Sequence, residues 1–169
     1  TRSFTTEAPV NVAPTITGQN LLTTNEDTAL TITTADLTVT DPDNSYPTGF
    51  TLTVQPGANY TVVGPTITPA LNYNGPLTVP VLVNDGLANS NVFNLTVTVT
   101  PVNDPPVVTN PGTQTNAEGD TVSLQIVAND VDNPSLTYSA TNLPTGLSIN
   151  PTNGSINGAV DYAASALSP

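Results

Sequence analysis

The sequence contains no cysteine, histidine, methionine or tryptophan, and Arg2 is its one basic residue. Each absence removes a class of chemistry. Without histidine or cysteine there is no Ser-His-Asp triad, no Cys-His nucleophile, no zinc finger and none of the usual haem ligation. Without lysine there is no Schiff base, no P-loop lysine and no Lys–Asn isopeptide cross-link. The lack of cysteine means only that disulfides do not hold the chain together; it does not argue against secretion. One arginine against 13 acids leaves a net charge of −12. That balance repels a nucleic-acid backbone and an anionic membrane alike. No apolar run reaches the length of a membrane-spanning helix, so membrane insertion is not expected. The sequence opens without a secretory leader and reads as a mature or excised piece.

What is present is threonine, asparagine and alternation. Charged residues make up only 8% of the chain, against about 25% in an ordinary globular domain. Solubility must therefore come from Thr, Asn and Ser, which points to an extracellular or cell-surface location. Apolar residues, 37% of the total, recur with period two, as half-buried strands require. The clearest run is Phe93-Asn94-Leu95-Thr96-Val97-Thr98-Val99-Thr100, with similar alternation over Leu30–Thr33, Phe50–Val54 and Val122–Ala128. Val79–Val83 reads as a more buried strand, in which Pro80 needs a position without a ladder donor. Turn pairs such as Pro56-Gly57, Asn74-Gly75, Asp85-Gly86 and Asn153-Gly154 punctuate these runs. No helical period is sustained. The expected class is all-β, built from sandwiches.

The chain also repeats itself. Pro9-Val10-Asn11 returns as Pro101-Val102-Asn103, and Glu26 returns as Glu118, both 92 residues on. Each Glu is followed by an Asp-x-Asp-Asn, Asp41-Pro42-Asp43-Asn44 and Asp130-Val131-Asp132-Asn133. A period near 90 fits one sandwich plus its linker. The expected organisation is a leading segment over 1–12, either a stray or a donated strand; a sandwich over 13–102; a linker over 103–106; and a second sandwich over 107–169 that lacks its last strands. Such a chain is either a piece of a longer repeat protein or a subunit that borrows a neighbour's strand.

Asn25-Glu26-Asp27, the Asp-Pro-Asp-Asn, Leu71-Asn72-Tyr73-Asn74-Gly75, Asn84-Asp85-Gly86 and the exit Thr98-Val99-Thr100-Pro101-Val102-Asn103-Asp104-Pro105-Pro106 resemble the cadherin-like tandem repeats of large bacterial surface proteins. The stretch from Leu136 to Asn150, with Asn153-Gly154-Ser155-Ile156-Asn157-Gly158, is similar to the immunoglobulin-like domain that often accompanies them. The resemblance implies tandem immunoglobulin- and cadherin-like β-sandwiches acting as stalk or adhesive modules. Their partners would be neighbouring repeats or subunits in a linear array, with a cell-surface or glycan ligand.

The chemistry on offer is carboxylate chemistry. Two carboxylates at ~4–5 Å repel by roughly 3–4 kcal/mol at an effective dielectric of 20. A cluster with no lysine nearby needs a cation or wide spacing, and oxygen-only ligands favour calcium. Mapped through the cadherin resemblance, the calcium set is Glu26, Asn103, Asp104, Asp130 and Asp132. A weaker second set is Asn11, Asp41, Asp43 and Asp85, because the first linker reads Asn11-Val12 where Asn-Asp is expected. The family's Asp-Arg-Glu segment is absent from the sequence. An EF-hand does not fit: counting from Asp41, Tyr46 stands where glycine belongs and Leu52 where glutamate belongs. The alternative for every Asp-x-Asp-Asn is a turn held by side-chain to backbone bonds, and for Asn84-Asp85-Gly86 a hairpin.

A carbohydrate-binding module is the competing function, but sugar platforms favour exposed tryptophan or paired tyrosine, and aromatics are 5% of this chain. Glycosidase chemistry would need paired acids in a cleft, whereas these acids sit in turn motifs. No enzymatic activity is expected. Asn59-Tyr60-Thr61, Asn94-Leu95-Thr96 and Asn153-Gly154-Ser155 match the glycosylation sequon at a frequency that chance provides in so Thr- and Asn-rich a chain.

Overall fold

The computed structural model describes residues 10–162. Most of the leading segment expected over 1–12, and everything after Tyr162, lie outside the described residues. The chain divides into two compact units between Val102 and Asn103.

The first unit holds nine strands: β1 (Thr15–Gln19), β2 (Leu22–Asn25), β3 (Leu30–Thr31), β4 (Leu37–Thr40), β5 (Thr51–Val54), β6 (Tyr60–Val63), β7 (Thr66–Pro69), β8 (Gly75–Asn84) and β9 (Phe93–Thr100). One sheet has the order β2-β9-β8-β5, and the others are β3-β7-β6 and β1-β4. The core lies between them. Leu95 and Val97 on β9, and Val79, Val81 and Val83 on β8, are all 0% exposed. The intervening Thr96, Thr98 and Thr100 face solvent. Burying each such aliphatic side chain stabilises the fold by about 1.5–3 kcal/mol, and a one-residue slip would turn the whole row outward.

Pro80 sits inside β8, opposite Asn94, in a strand flanked on both sides. In an antiparallel ladder a residue's N–H and C=O point to the same neighbour. The Pro80 carbonyl accepts the Gln55 N–H at 2.9 Å. Its missing donor therefore falls on the rung just past Val54, where β5 ends, as the sequence requires.

The alternation at Leu30–Thr33 does not continue as one strand. The Asp36 carboxylate accepts the Thr33 N–H at 2.7 Å and the Thr33 hydroxyl at 2.8 Å. That folds Thr34–Asp36 into a single 3-10 turn and separates β3 from β4. The first strand is divided as well. β1 pairs antiparallel with β4, whereas β2 pairs parallel with β9. At the switch, Gln19 Oε1 accepts the Thr96 N–H at 2.7 Å, and Gln19 Nε2 donates to the Thr96 carbonyl at 2.8 Å. A side-chain amide thus supplies one rung of the sheet.

The second unit holds β10 (Val107–Val108), β11 (Thr121–Gln125), β12 (Ala128–Asn129), β13 (Leu147–Ile149) and β14 (Ser155–Ala159). They form sheets of order β11-β14-β13 and β10-β12. Ile156 and Val160 are its buried aliphatics among the described residues, while Val122, Leu124 and Ile126 are half-buried. Its tightest point is backbone on backbone. A Cβ on Gly146 would lie 2.0 Å from the Ala159 carbonyl oxygen, and one on Gly158 2.0 Å from that of Gly146.

Candidate functional site

In the first unit the acidic motif is a hub of backbone bonds. Asp41 Oδ1 accepts the N–H groups of Asp43 at 3.0 Å and Asn44 at 2.9 Å. Asp43 Oδ2 accepts the Val12 N–H at 2.9 Å. Asn11 joins both loops: it donates to Asp85 Oδ2 at 3.0 Å and accepts from Asn44 Nδ2 at 3.3 Å. Asp85 tops the β8–β9 connection, where its Oδ1 takes the N–H groups of Leu87 at 2.8 Å and Ala88 at 2.7 Å. The Ala88 N–H first, then the Asn11 amide and the Leu87 N–H, hold its carboxyl below the usual carboxylate range. Asn11, Asp41, Asp43 and Asp85 are therefore brought into one network.

The second unit carries the same wiring. Asp130 Oδ1 accepts the N–H groups of Asp132 at 2.9 Å and Asn133 at 2.8 Å. Asp132 Oδ2 accepts the Asp104 N–H at 2.6 Å, as Asp43 does that of Val12. Asn133 Nδ2 donates to Asn103 Oδ1 at 3.0 Å, as Asn44 does to Asn11. Bond for bond, Asp130, Asp132 and Asn133 reproduce Asp41, Asp43 and Asn44. The duplicated sequence motif is a duplicated hydrogen-bond circuit, and it ties each unit's entry segment to its own sandwich. Where the first copy presents the Val12 side chain, the second presents Asp104.

Glu26, at the end of β2, belongs to the first unit and is 3% exposed. Its Oε1 accepts the Val102 N–H at 2.5 Å, and the Glu26 N–H donates to the Thr100 carbonyl at 2.9 Å. Its Oε2 is buried and has no hydrogen-bond partner among the described residues, and the same holds for Asp41 Oδ2. A buried carboxylate oxygen facing no donor is costly. Glu118, its counterpart in the repeat, is exposed.

Among the described residues, no group of three or more acidic side chains stands close enough together to hold a metal ion. One carboxylate oxygen each of Asp41, Asp43, Asp85, Asp130 and Asp132 is turned onto backbone N–H groups. Each expected set nonetheless fits a hard cation chemically: every donor is oxygen, and each includes one oxygen, Glu26 Oε2 in the first and Asp41 Oδ2 in the second, that is buried without a hydrogen-bond partner among the described residues. Sequence reasoning passed over Asn44 and Asn133 as ligand-set members, although each bridges its circuit. Their signal was the final Asn of the repeated Asp-x-Asp-Asn.

Residues 10–100, more than half of the chain, match the Cadherin-like domain family. The chain belongs to that family. The cadherin-like unit is followed by residues 105–167, which match the family described as Putative Ig domain. Among solved structures, the cadherin-like chain is similar to human protocadherin-24 EC1-2, form II, with 22% identity, a TM-score of 0.53, and coverage of 88% of this chain and 80% of that one. It is also similar to protocadherin Gamma B2 extracellular cadherin domains 1-5, with 14% identity, a TM-score of 0.51, and coverage of 94% and 36%. The chain spans only 28% of the protocadherin GammaB4 extracellular domain that it also matches. These likenesses are likenesses of fold. No curated protein shows a significant sequence match. Cadherin-like and immunoglobulin-like domains together mark an adhesive or structural module of the extracellular kind.

Proposed function

We propose that this chain is a structural stalk or adhesive module of an extracellular repeat protein or filament, stiffened by calcium at the junction of its two units. The observation that carries the reading is the buried Glu26 Oε2, which faces no donor among the described residues, in a unit whose exit segment is bonded to the same carboxylate. The proposed ligands are Glu26 of the first unit and Asn103, Asp104, Asp130 and Asp132 of the second. Asn11, Asp41, Asp43 and Asp85 form a second, weaker set, with the unpartnered Asp41 Oδ2 as its support.

The chain's own residues prepare these positions. Glu26 Oε1 holds the Val102 N–H and so fixes the last residue before the junction. Asp132 Oδ2 holds the Asp104 N–H, and Asn133 holds the Asn103 side chain. The exit of the first unit and the entry of the second are thereby each ordered before any ion arrives, which lowers the entropy lost on binding. Calcium would supply the positive charge that this lysine-free chain lacks. Ligands drawn from both units would couple them, and neighbouring repeats would couple in the same way through the second set.

Melting and small-angle scattering, each with calcium and with chelator, test the reading. An affinity of roughly 10⁻⁴–10⁻³ M, typical of extracellular modules, is expected. Stabilisation should follow RT ln(1 + [L]/Kd), about 2.7 kcal/mol at a hundred times Kd. Asp104→Asn and Asp132→Asn should lose the response, and Asp36→Asn should keep it. If about 5 mM calcium moves neither the melting midpoint nor the maximum dimension of the unaltered chain, the acidic circuits are turns and nothing more.

A further inference from the structure

Residues 44–84 contain no charged side chain, although the whole chain carries a net charge of −12. That stretch includes β5, one of the two edge strands of the four-stranded sheet. Edge strands are normally guarded by charge, proline or a bulge. Thr51-Leu52-Thr53-Val54 has no charge and no proline, and it pairs with β8 in unbroken register. Beside β5, on its inner side, a groove of about 690 Å³ opens between the two edges of the sandwich. It is lined by Ile32, Leu52, Val54, Val62 and Pro65 together with threonines. Asp36 stands near one end, and its carboxylate is committed to Thr33.

The register decides which backbone groups the edge offers. Gln55 donates its N–H to the Pro80 carbonyl. Residues of the same parity, Thr51 and Thr53, therefore also turn their N–H and C=O toward β8. Leu52 and Val54 turn theirs outward, and no partner for them is found among the described residues. Phe50, the next of that parity, spends its N–H on the Pro47 carbonyl at 3.2 Å. The free edge is thus two residues long, centred on Thr53.

We infer that β5 is a pairing edge for a second copy of this chain, antiparallel and two-fold symmetric about Thr53. Partners opposite each other in an antiparallel ladder must point to the same face. A centre at Thr53 sets Leu52 against Val54 of the second copy, and the reverse, as two hydrogen-bonded pairs. That makes four backbone bonds. A centre at Leu52 opposes Val54 to Phe50, whose N–H is already engaged, and so leaves each of those two pairs incomplete. In the four-bond register the apolar Leu52 of each copy lies alongside the other's groove, and Thr53 meets Thr53 on the outer face. The neutral stretch is what allows the approach: elsewhere two such acidic chains repel, while here neither edge brings a charge. The contact is small, so the dimer is weak and concentration-dependent. This inference is independent of calcium and is tested in chelator.

The chain has no cysteine, so a single introduced thiol reports the register. Opposed residues of a non-hydrogen-bonded pair have Cα atoms about 4.5 Å apart, within disulfide reach. Thr53→Cys in oxidised glutathione should cross-link to dimer many times faster than Thr78→Cys, which is also exposed but lies on the inner strand β8. Sedimentation of the unaltered chain up to about 1 mM should show a monomer–dimer equilibrium. Leu52→Pro removes an outward N–H without touching the β8 ladder, and Thr53→Lys sets like charges on the axis; both should remain monomeric with their fold retained. A chain that stays monomeric throughout the series, or a Thr53→Cys rate equal to that of Thr78→Cys, overturns the inference.

Discussion

The Tyr60 hydroxyl donates to the Gln55 carbonyl at 2.9 Å, on the rung where Pro80 has no N–H to give. An inner strand carries a proline, and a tyrosine from the opposite sheet repairs the gap. Burial pushes the Tyr60 phenol above its ordinary pKa, so it remains a donor across the neutral range. Tyr60→Phe should lower stability by about 1–2 kcal/mol, the cost of a carbonyl left unpaired. In thermal melts that is a fall of roughly 4–8 °C per kcal/mol for a unit of this size. Tyr162→Phe, at a residue 76% exposed, should change nothing.

Gln19 offers a second test of side chains acting as backbone. Gln19→Ala removes both bonds to Thr96 and should cost about 1–2 kcal/mol in urea unfolding. Gln19→Asn keeps the amide on a shorter arm and should not restore the loss.

The close approach of Gly146 and Gly158 predicts a unit-specific failure. Gly146 also has φ +91°, a region that L side chains rarely adopt. Gly146→Ala should destabilise the second unit by more than about 3 kcal/mol. Calorimetry should show that transition lost or strongly lowered while the first unit's transition stays.

Asp85 sets a pH dependence. Its folded pKa lies below its ordinary value of 3.8. The unfolded chain therefore takes up the proton first, and the contribution of Asp85 is complete above that value. It declines as pH falls below it and is gone once pH passes the lower, folded pKa. Asp85→Asn should be less stable than the unaltered chain at neutral pH, and the difference should shrink under strong acid. Urea titrations of both proteins across that range give the comparison.

Elements whose signal is local were readable in advance. The alternation of β9, the buried run in β8, the punctuating Gly turns and the Asp-x-Asp-Asn motifs all lie within short windows, and the 92-residue repeat is the recurrence of such windows. Features that depend on a distant partner were not. The bend after Leu30–Thr33 is a different case: Thr33 and Asp36 are a local capping pair at i, i+3, legible in the sequence but overridden there by the alternation of Leu30–Thr33. Nothing near Gln19 names Thr96, and nothing near Tyr60 names the gap at Pro80. The bridging role of Asn44 and Asn133 emerged only when the entry segments, Asn11 and Asn103, were placed beside them. Side-chain bonds to remote backbone leave no period in the sequence.

The parallel pairing of β2 with β9 has a mechanical meaning. β2 follows β1 near the start of the first unit, the chain leaves the unit through β9, and β2 and β9 run in one direction. Tension applied across the unit, once it reaches β2, drags that strand toward its start and β9 toward its end. The rungs from Leu22–Val97 to Asn25–Thr100 are then sheared together instead of being unzipped singly. A hairpin at the same place would peel open one bond at a time; this arrangement makes the unit yield all at once or not at all.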